Sequence, residues 1–461
     1  MQKSRNPRPH ETAPARGPVE IRGAPIPSQP AVSVTGVFSP LQSPQLRRII
    51  TAYTVNRLGT WFGYVALSLA VFAHTHSALA VAALLIAGQA LPAFLVPAVV
   101  ARVEASPRRG QLSILYLFEA LVTVALAILL WHFWLPAILV LVAVDGTAAL
   151  AASALLRAEA ARSARGEAEA RILTGAADGE ALDDVQTAER KANAALNMAF
   201  SGTFVLGPAL AGLLVAAAGG PTALLIDAVS FLICGMMLTH LRPHVEGSME
   251  ESVRARVRAA WRYVNEVATL RTLLLAEGLA LIFFAADASI EVPYAKATLH
   301  AGDSGYGLLL TVWGVGVGLG SIGFARAVRR PLGAMLSAGT LAVGLAYVGF
   351  AAAPSLPVAC MAGLLGGLGN GVQWASLLSA VQQLTPQSLH GRMMGAVESI
   401  NALCPGIGLL LGGVLVALGT PRSAFLIVGL AATATTGVFL RIGAGSRLER
   451  GAESEPARSS P

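Results

Sequence analysis

The sequence predicts an all-α membrane protein, with twelve transmembrane helices in two pseudo-symmetric six-helix lobes. Three observations carry that expectation. Of 461 residues, 54% are hydrophobic and only 13% charged, about half the ~25% charge of a soluble protein. Charges fall as punctuation between uncharged stretches long enough to cross a bilayer. The two halves of the chain also repeat each other. Mean hydropathy is +0.63, so there is too little charge to coat a soluble surface. That excludes a soluble enzyme, a disordered regulator and a secreted disulfide scaffold.

The elements follow in order. Residues 1–45 carry nine prolines and no apolar run, which reads as a disordered cytoplasmic tail. It is not a signal peptide, because no hydrophobic segment follows the basic start. From Leu58 to Ala101, 44 residues lack Asp, Glu, Lys and Arg. One span needs about 20 residues, so this run holds two spans with a turn near His74–Ser77. A second uncharged run of 61 residues, Pro331–Gly391, is broken at Ala353–Pro357. The same reading throughout gives helices near 49–72, 78–101, 112–131, 135–156, 194–218, 222–241, 272–297, 305–328, 332–352, 357–381, 394–418 and 422–441. The N-terminal lobe is then 46–241, with a cytoplasmic insert at 157–193. A central cytoplasmic loop at 242–271 leads to the C-terminal lobe at 272–441 and a disordered tail at 442–461.

With both termini in the cytoplasm, 30 of the 33 cations lie on that side. Lys296 and Arg422 fall opposite, and Arg57 lies inside the first span. Such an excess fixes orientation, so the net charge of +7 reflects topology rather than nucleic-acid binding. Cys234, Cys360 and Cys404 sit in apolar runs without metal-ligand spacing and read as small hydrophobes. No phosphate-binding loop of the G-x-x-x-x-G-K-[ST] type occurs, leaving ATP-driven transport unsupported. In the central loop, Val253, Val257, Trp261 and Val264 recur at helical spacing. That predicts an interfacial amphipathic helix with its arginines at the headgroups.

The repeat appears when the chain is shifted on itself. A shift of 200 places Gly212, Gly219 and Pro221 on Gly412, Gly419 and Pro421; a shift of 227 places Ser77–Leu85 on Ser304–Val312. The difference of 27 matches the extra length of the 157–193 insert. Two parallel six-helix halves with both termini inside is the layout of a two-lobed secondary transporter.

Several segments resemble the major facilitator superfamily, within it the branch of enterobactin-exporter-like and actinobacterial efflux proteins. These are RLGTWFGYVALSLAVFAHTHSALAV (Arg57–Val81), the GP-x-x-x-G core of Gly207, Pro208 and Gly212, GYGLLLTVWGVGVGLGS (Gly305–Ser321) and TPQSLHGRMMG (Thr385–Gly395). The resemblance covers residues 46–441 and implies alternating access, with the GP-x-x-x-G core limiting leak during exchange. The loop Pro97–Gly110 departs from the family. Ala101 stands where the gating Asp is expected, while Arg102, Arg108 and Arg109 remain. Thr60 stands where the branch usually has Asp.

An ionisable group within a span costs about 2.5–3.5 kcal/mol on insertion scales and asks for a reason. Asp145, midway along the fourth span, reads as a proton-coupling carboxylate facing the cavity or as a packing hydrogen-bond partner. Asp287 and Glu291 share one face of the seventh span. Two close carboxylates rarely ionise together in low dielectric, which suits proton binding; an exposed vestibule face is the alternative. Glu119 in the third span is a further proton-coupling candidate. Asp227 reads as structural and Glu277 as a solvated boundary residue. Arg57 either snorkels to the interface, binds an anionic substrate or pairs with Asp145. Asn370, Gln373 and Trp374 in the tenth span read as substrate-cavity residues or as helix–helix glue. Arg102, Arg108, Arg109 and Arg392 are the gate arginines, and Gly207, Pro208 and Gly212 are the packing elements.

The expected function is proton-coupled efflux of a small amphipathic molecule by a plasma-membrane protein with both termini cytoplasmic. Its partners would be that substrate, protons and the lipid bilayer, with no nucleic acid, no cofactor and a monomeric state. A lipid or lysolipid translocator and a non-transporting membrane sensor are the alternatives.

Overall fold

The computed structural model describes residues 43–96, 110–173, 181–239, 267–327, 330–385 and 390–453, with single positions 99, 262, 264 and 265. Most of the central amphipathic helix and residues 1–42 of the N-terminal tail lie outside these, as do Arg102, Arg108 and Arg109; of the helix's apolar positions Val264 is described, and it is buried in the second-lobe core. Among the described residues there are twelve long helices and no strand. The first six are α1 (Pro44–Thr75), α2 (Ala78–Leu85, continuing to Val96), α3 (Gln111–Trp131), α4 (Leu135–Leu173), α5 (Ala181–Ala218) and α6 (Gly220–Met237). The second six are α7 (Ala268–Pro293), α8 (Gly302–Arg326), α9 (Leu332–Ala352), α10 (Leu356–Gln383), α11 (His390–Leu418) and α12 (Pro421–Glu453).

Local chemistry sets the ends. Ser43 Oγ accepts from Leu46 N at 3.3 Å and Pro44 occupies the first turn of α1, a capping arrangement with Pro where no helical donor is needed. His76 stops α1 in the left-handed conformation (φ 50°), and Ser77 Oγ then caps α2 by accepting from Ala80 N at 3.3 Å. This two-residue break joins the first pair of spans. Gly219, with φ 81°, and Pro221 make the equally abrupt reversal into α6.

Eleven of the helices are long and apolar enough to cross a membrane; α10 is not among them. It is long enough, but Asn370, Gln373, Gln382, Gln383 and its glycines dilute its hydropathy. Two helices contain a π turn, Ile86–Ala90 in α2 and Tyr294–Thr298 at the end of α7.

The 157–193 segment adds helix at both its ends: α4 runs on to Leu173 and α5 begins at Ala181. Arg165 Nε pairs with Glu189 Oε1 at 2.8 Å, bridging the two extensions. Gln45 Nε2 donates to Ser163 Oγ at 3.0 Å, and Ser43 bonds Glu167, so the start of α1 is tied to α4. At the other terminus, α12 stays helical to Glu453, into the stretch whose composition suggested a disordered tail, although its apolar span ends at Leu440.

The core shows how the lobes meet. We call the end carrying the short turns after α1, α3, α5, α7, α9 and α11 the turn end, and the opposite end the terminus end. Toward the turn end one apolar cluster crosses both lobes, joining Val65, Leu85 and Val215 to Ile290, Leu309 and Val428. Toward the terminus end it divides. One cluster around Tyr53, Tyr116 and Leu196 belongs to the first lobe, and another around Leu274, Leu377 and Phe439 to the second.

The repeat reappears at the level of helices, α5 on α8 and α11 on α2. Gly212 of α5 packs on Gly307 of α8, and Gly413 of α11 packs on Ala78, Leu79 and Ala82 of α2, whereas Gly412, the repeat counterpart of Gly212, packs on Ala286 of α7. Small residues let two backbones approach where lipid gives no hydrophobic drive for association.

Candidate functional site

A cavity of about 620 Å³ lies among α1 to α6, α3 contributing Thr123 and Leu126, with α11 of the second lobe contributing Asn401 and Pro405. Its aromatic wall is built on one-turn spacing. Trp61 and Tyr64 of α1 meet edge to face at 5.6 Å, and Trp61 meets Phe204 of α5 at 5.4 Å. Phe200 stacks beside Phe204 at 6.0 Å. Gly207 makes this wall possible, because a Cβ there would run into the Trp61 indole. The GP-x-x-x-G core therefore seats an aromatic as well as packing the lobes: Gly207 faces Trp61, and Pro208 O and Gly212 face Gly307.

Asp145 lines the cavity, and its Oδ1 is buried without a hydrogen-bond partner. The Thr123 hydroxyl lies beside the same carboxylate. Asp227 of α6 also reaches the cavity, through a notch in α1. A Cβ on Gly59 would collide with Asp227 Oδ1, and one on Gly63 would lie 2.9 Å from Oδ2. Ser230 Oγ donates to Asp227 Oδ1 at 3.3 Å, so the residue has the structural partner expected and a cavity position the sequence did not show. Glu119 sits behind both, fully buried with neither oxygen partnered, and feels both other carboxylates electrostatically. No three acidic, His or Cys side chains among the described residues are arranged to hold a metal ion.

Arg57 lines the same cavity and makes no ion pair to Asp145. Its guanidinium lies over the Phe200 ring, 5.0 Å from the centroid, and its Nε has no partner. Arg157 sits close by, donating to Tyr53 Oη at 2.6 Å. The cavity thus holds two carboxylates and one arginine, with no described cation paired to either carboxylate.

Asp287 and Glu291 lie elsewhere, at the lobe boundary. The Tyr347 hydroxyl of α9 lies beside Asp287 and donates to Phe284 O at 3.3 Å, leaving Asp287 Oδ1 without a partner, while Glu291 is 5% exposed. Tyr64 of α1 lies against Tyr306 of α8 and within electrostatic reach of both acids. Neither carboxylate lines the cavity; Glu291 is buried, which goes against an exposed vestibule face for it, while Asp287 is half-buried.

For the α10 cluster the geometry favours the second of the two readings, glue, at Gln373 and Trp374. Asn370, Gln373 and Trp374 do not line the described cavity. Gln373 is 1% exposed and donates through Nε2 to Glu277 Oε2 at 2.6 Å, and Trp374 packs on the apolar cluster of the second lobe. Glycines account for this: Gly367 meets Trp313 O and Gly371 meets Val317 O on α8, while Gly369 lies against Gly339 O on α9. α10 is wedged between its neighbours, and its amide serves as glue. Glu277, expected at a solvated boundary, is 1% exposed. Arg392 lies in the first turns of α11, with its side chain outside the described residues.

With this geometry in view, comparison with known proteins decides the family. A model of the transmembrane secretion effectors, MFS_3, matches residues 35–434. The chain belongs to that family. Its sequence is similar to the multidrug efflux pump Tap of Mycolicibacterium fortuitum, 27% identical over 247 residues, which is 52% of this chain and 60% of the relative. The Tap pump of Mycobacterium tuberculosis (strain ATCC 25618 / H37Rv) is 27% identical over 256 residues, 54% of this chain and 60% of the relative. The matched region therefore spans about 60% of these relatives' length. Among solved structures, a bacterial homologue of the iron transporter ferroportin in the inward-facing state superposes with a TM-score of 0.64. It is 17% identical and is matched over 87% of this chain and 98% of its own. The nucleoside transporter NupG superposes at 0.62, with 12% identity over 87% of this chain and 99% of its own. The fold is that of the major facilitator transporters, as the sequence resemblance implied.

Proposed function

We propose that this chain is a secondary efflux transporter that takes a cationic amphipathic small molecule into the first-lobe cavity and releases it in exchange for a proton on Asp145. The observation that carries this reading is the cavity wall itself: the Asp145 carboxylate faces the cavity with its Oδ1 buried and without a hydrogen-bond partner, and no cation is paired with it. A charge held that way is costly to bury, and either of two cations removes the cost, a proton or the charged group of a substrate. Competition between them for one carboxylate is the simplest form of exchange. Trp61, Tyr64 and Phe204 offer π faces to a cation, an attraction of about 0.5–2 kcal/mol each.

The division of the core at the terminus end supports a cavity that opens there, which the positive-inside count assigns to the cytoplasm. Closure of that end with opening of the turn end would carry Tyr64 away from Asp287 and Glu291. In this scheme the pair gives protons a second exchange site, reached by water from the far side. The partial match to multidrug efflux pumps agrees with export of an amphipathic compound.

Reconstituting the full chain in liposomes with an imposed pH gradient and following tetraphenylphosphonium tests this. Protein-dependent movement of the cation against its own gradient, abolished by a protonophore, is expected. Movement that ignores the pH gradient would remove proton exchange from the account.

A further inference from the structure

Two hollows lie on opposite faces of the same helix pair. The cavity reaches α2 and α4 through Gln89, Asp145 and Gly146. On the other face, a groove of about 650 Å³ runs along α2, α3 and α4, with Leu91, Leu95, Phe118, Val140 and Ala143 among its walls. Every side chain lining it is apolar except Thr147, whose hydroxyl is spent on its own helix, donating to Ala143 O at 2.7 Å. Leu91, Leu95, Phe118 and Val140 are all exposed, so the groove faces the bilayer. Its α2 and α3 walls lie in the terminus-end half of the bundle.

What separates the hollows is thin. α2 and α4 meet backbone to backbone: a Cβ on Gly146 would collide with Gly88 O, and one on Gly88 would lie 2.9 Å from Val142 Cγ1. Gly88 is also the middle residue of the π turn Ile86–Ala90. A π turn holds one residue more than an α turn, and such turns recur at functional sites. Converting it to α-helix shifts the register of Leu91–Val96 by one residue, about 100° around the axis. A seam of two glycines at a π turn, where a one-residue register shift would re-aim the helix, thus stands between an apolar groove and a polar cavity.

We propose that the α2–α4 seam is a lateral portal, and that the groove binds the hydrocarbon tail of an amphiphile whose charged head occupies the cavity. The inference rests on the cavity being a headgroup site and adds to it a tail subsite and a route of entry from the membrane. The nearness of the two hollows across the Gly88–Gly146 contact, and a lining apolar except for Thr147, whose hydroxyl is already bonded, commit the groove to a hydrocarbon occupant. Its volume falls within the range of about 300–1,000 Å³ usual for ligand sites.

The test is photolabelling of the full chain in liposomes with dodecyltrimethylammonium carrying a diazirine either at the tail end or beside the head. The head-labelled probe is expected to mark the cavity wall at Trp61 or Phe204. The tail-labelled probe should mark Leu91, Ala143 and Thr147 at least about fivefold above Leu121 and Ile128, a preference worth about 1 kcal/mol. Leu121 and Ile128 are lipid-exposed positions of α3. Excess unlabelled dodecyltrimethylammonium should remove that excess labelling, and Ala143→Phe, which fills only the groove, should do the same. Should that variant fail to fold, competition in the unaltered chain decides alone. Tail labelling equal to that of Leu121, or not competed, means that the groove holds bulk membrane lipid and overturns the portal. Cavity labelling by the head probe without groove labelling by the tail probe refutes this inference and spares the headgroup site. No cavity labelling refutes both.

Discussion

Gly212 of α5 and Gly307 of α8 touch backbone to backbone across the lobe boundary, where a Cβ on Gly212 would stand 2.9 Å from Gly307 Cα. The contact belongs to the turn end, where a single apolar core spans both lobes. Alternating access requires this contact to form and break. A residue that prevents its formation acts on the conformational equilibrium and leaves the cavity lining untouched.

Gly212→Val inserts a branched side chain into that contact at a cost of about 1–3 kcal/mol. The turn end then closes poorly. The rate of tetraphenylphosphonium transport is expected to fall about tenfold or more, while its equilibrium binding, read by tryptophan fluorescence, changes less than about twofold. Equal losses in both would place the defect in the cavity instead.

The Gln373–Glu277 hydrogen bond joins α10 to α7 inside the second lobe. Gln373→Ala leaves a buried carboxyl without its donor, a loss of about 1–3 kcal/mol. Thermal unfolding in detergent should shift down accordingly, and probe affinity should hold. A large affinity loss with unchanged melting would restore Gln373 to the substrate site.

Much of the fold could be read from the sequence, because charge is so costly in hydrocarbon that its absence marks each span. The ends of α9 match the expectation, Leu332–Ala352. Facing was harder to read. Hydrophobic periodicity separates core from solvent, but within a membrane bundle both the lipid-facing and buried sides are apolar. Thus Gln373 read equally as a cavity amide or as glue, and its bond to Glu277 makes it glue. Asp227 looked structural, yet Gly59 and Gly63, two α1 positions that read as ordinary packing glycines, let it reach the cavity. The π turn in α2 has no composition signal, since IAGQA reads as ordinary helix. Asp145 was legible because a lone charge midway along a span stands out.

Arg57 is the cavity's own cation, parked over Phe200. Removing it with Arg57→Gln takes away repulsion toward a cationic probe, about 1 kcal/mol for a charge near a solvated site. Tetraphenylphosphonium binding should tighten by about fivefold. Weaker binding would show instead that Arg57 supports the cavity wall or contacts an anionic group.

Trp61 stands at the centre of the aromatic wall, with Tyr64 and Phe204 both edge-on to it. Trp61→Leu removes the π face but keeps an apolar side chain, and about 0.5–2 kcal/mol of cation–π attraction goes with it. Affinity for tetraphenylphosphonium should drop more than affinity for an uncharged probe of similar size. Equal losses would reduce the wall to simple packing.

The central claim is that Asp145 carries the exchanged proton, and Asp145→Asn separates coupling from translocation. In liposomes, the variant should lose pH-gradient-driven accumulation of tetraphenylphosphonium. It should retain gradient-independent counterflow of the same cation, because the lobes and the aromatic wall are intact. Accumulation driven by the pH gradient at the level of the unaltered chain would contradict the account.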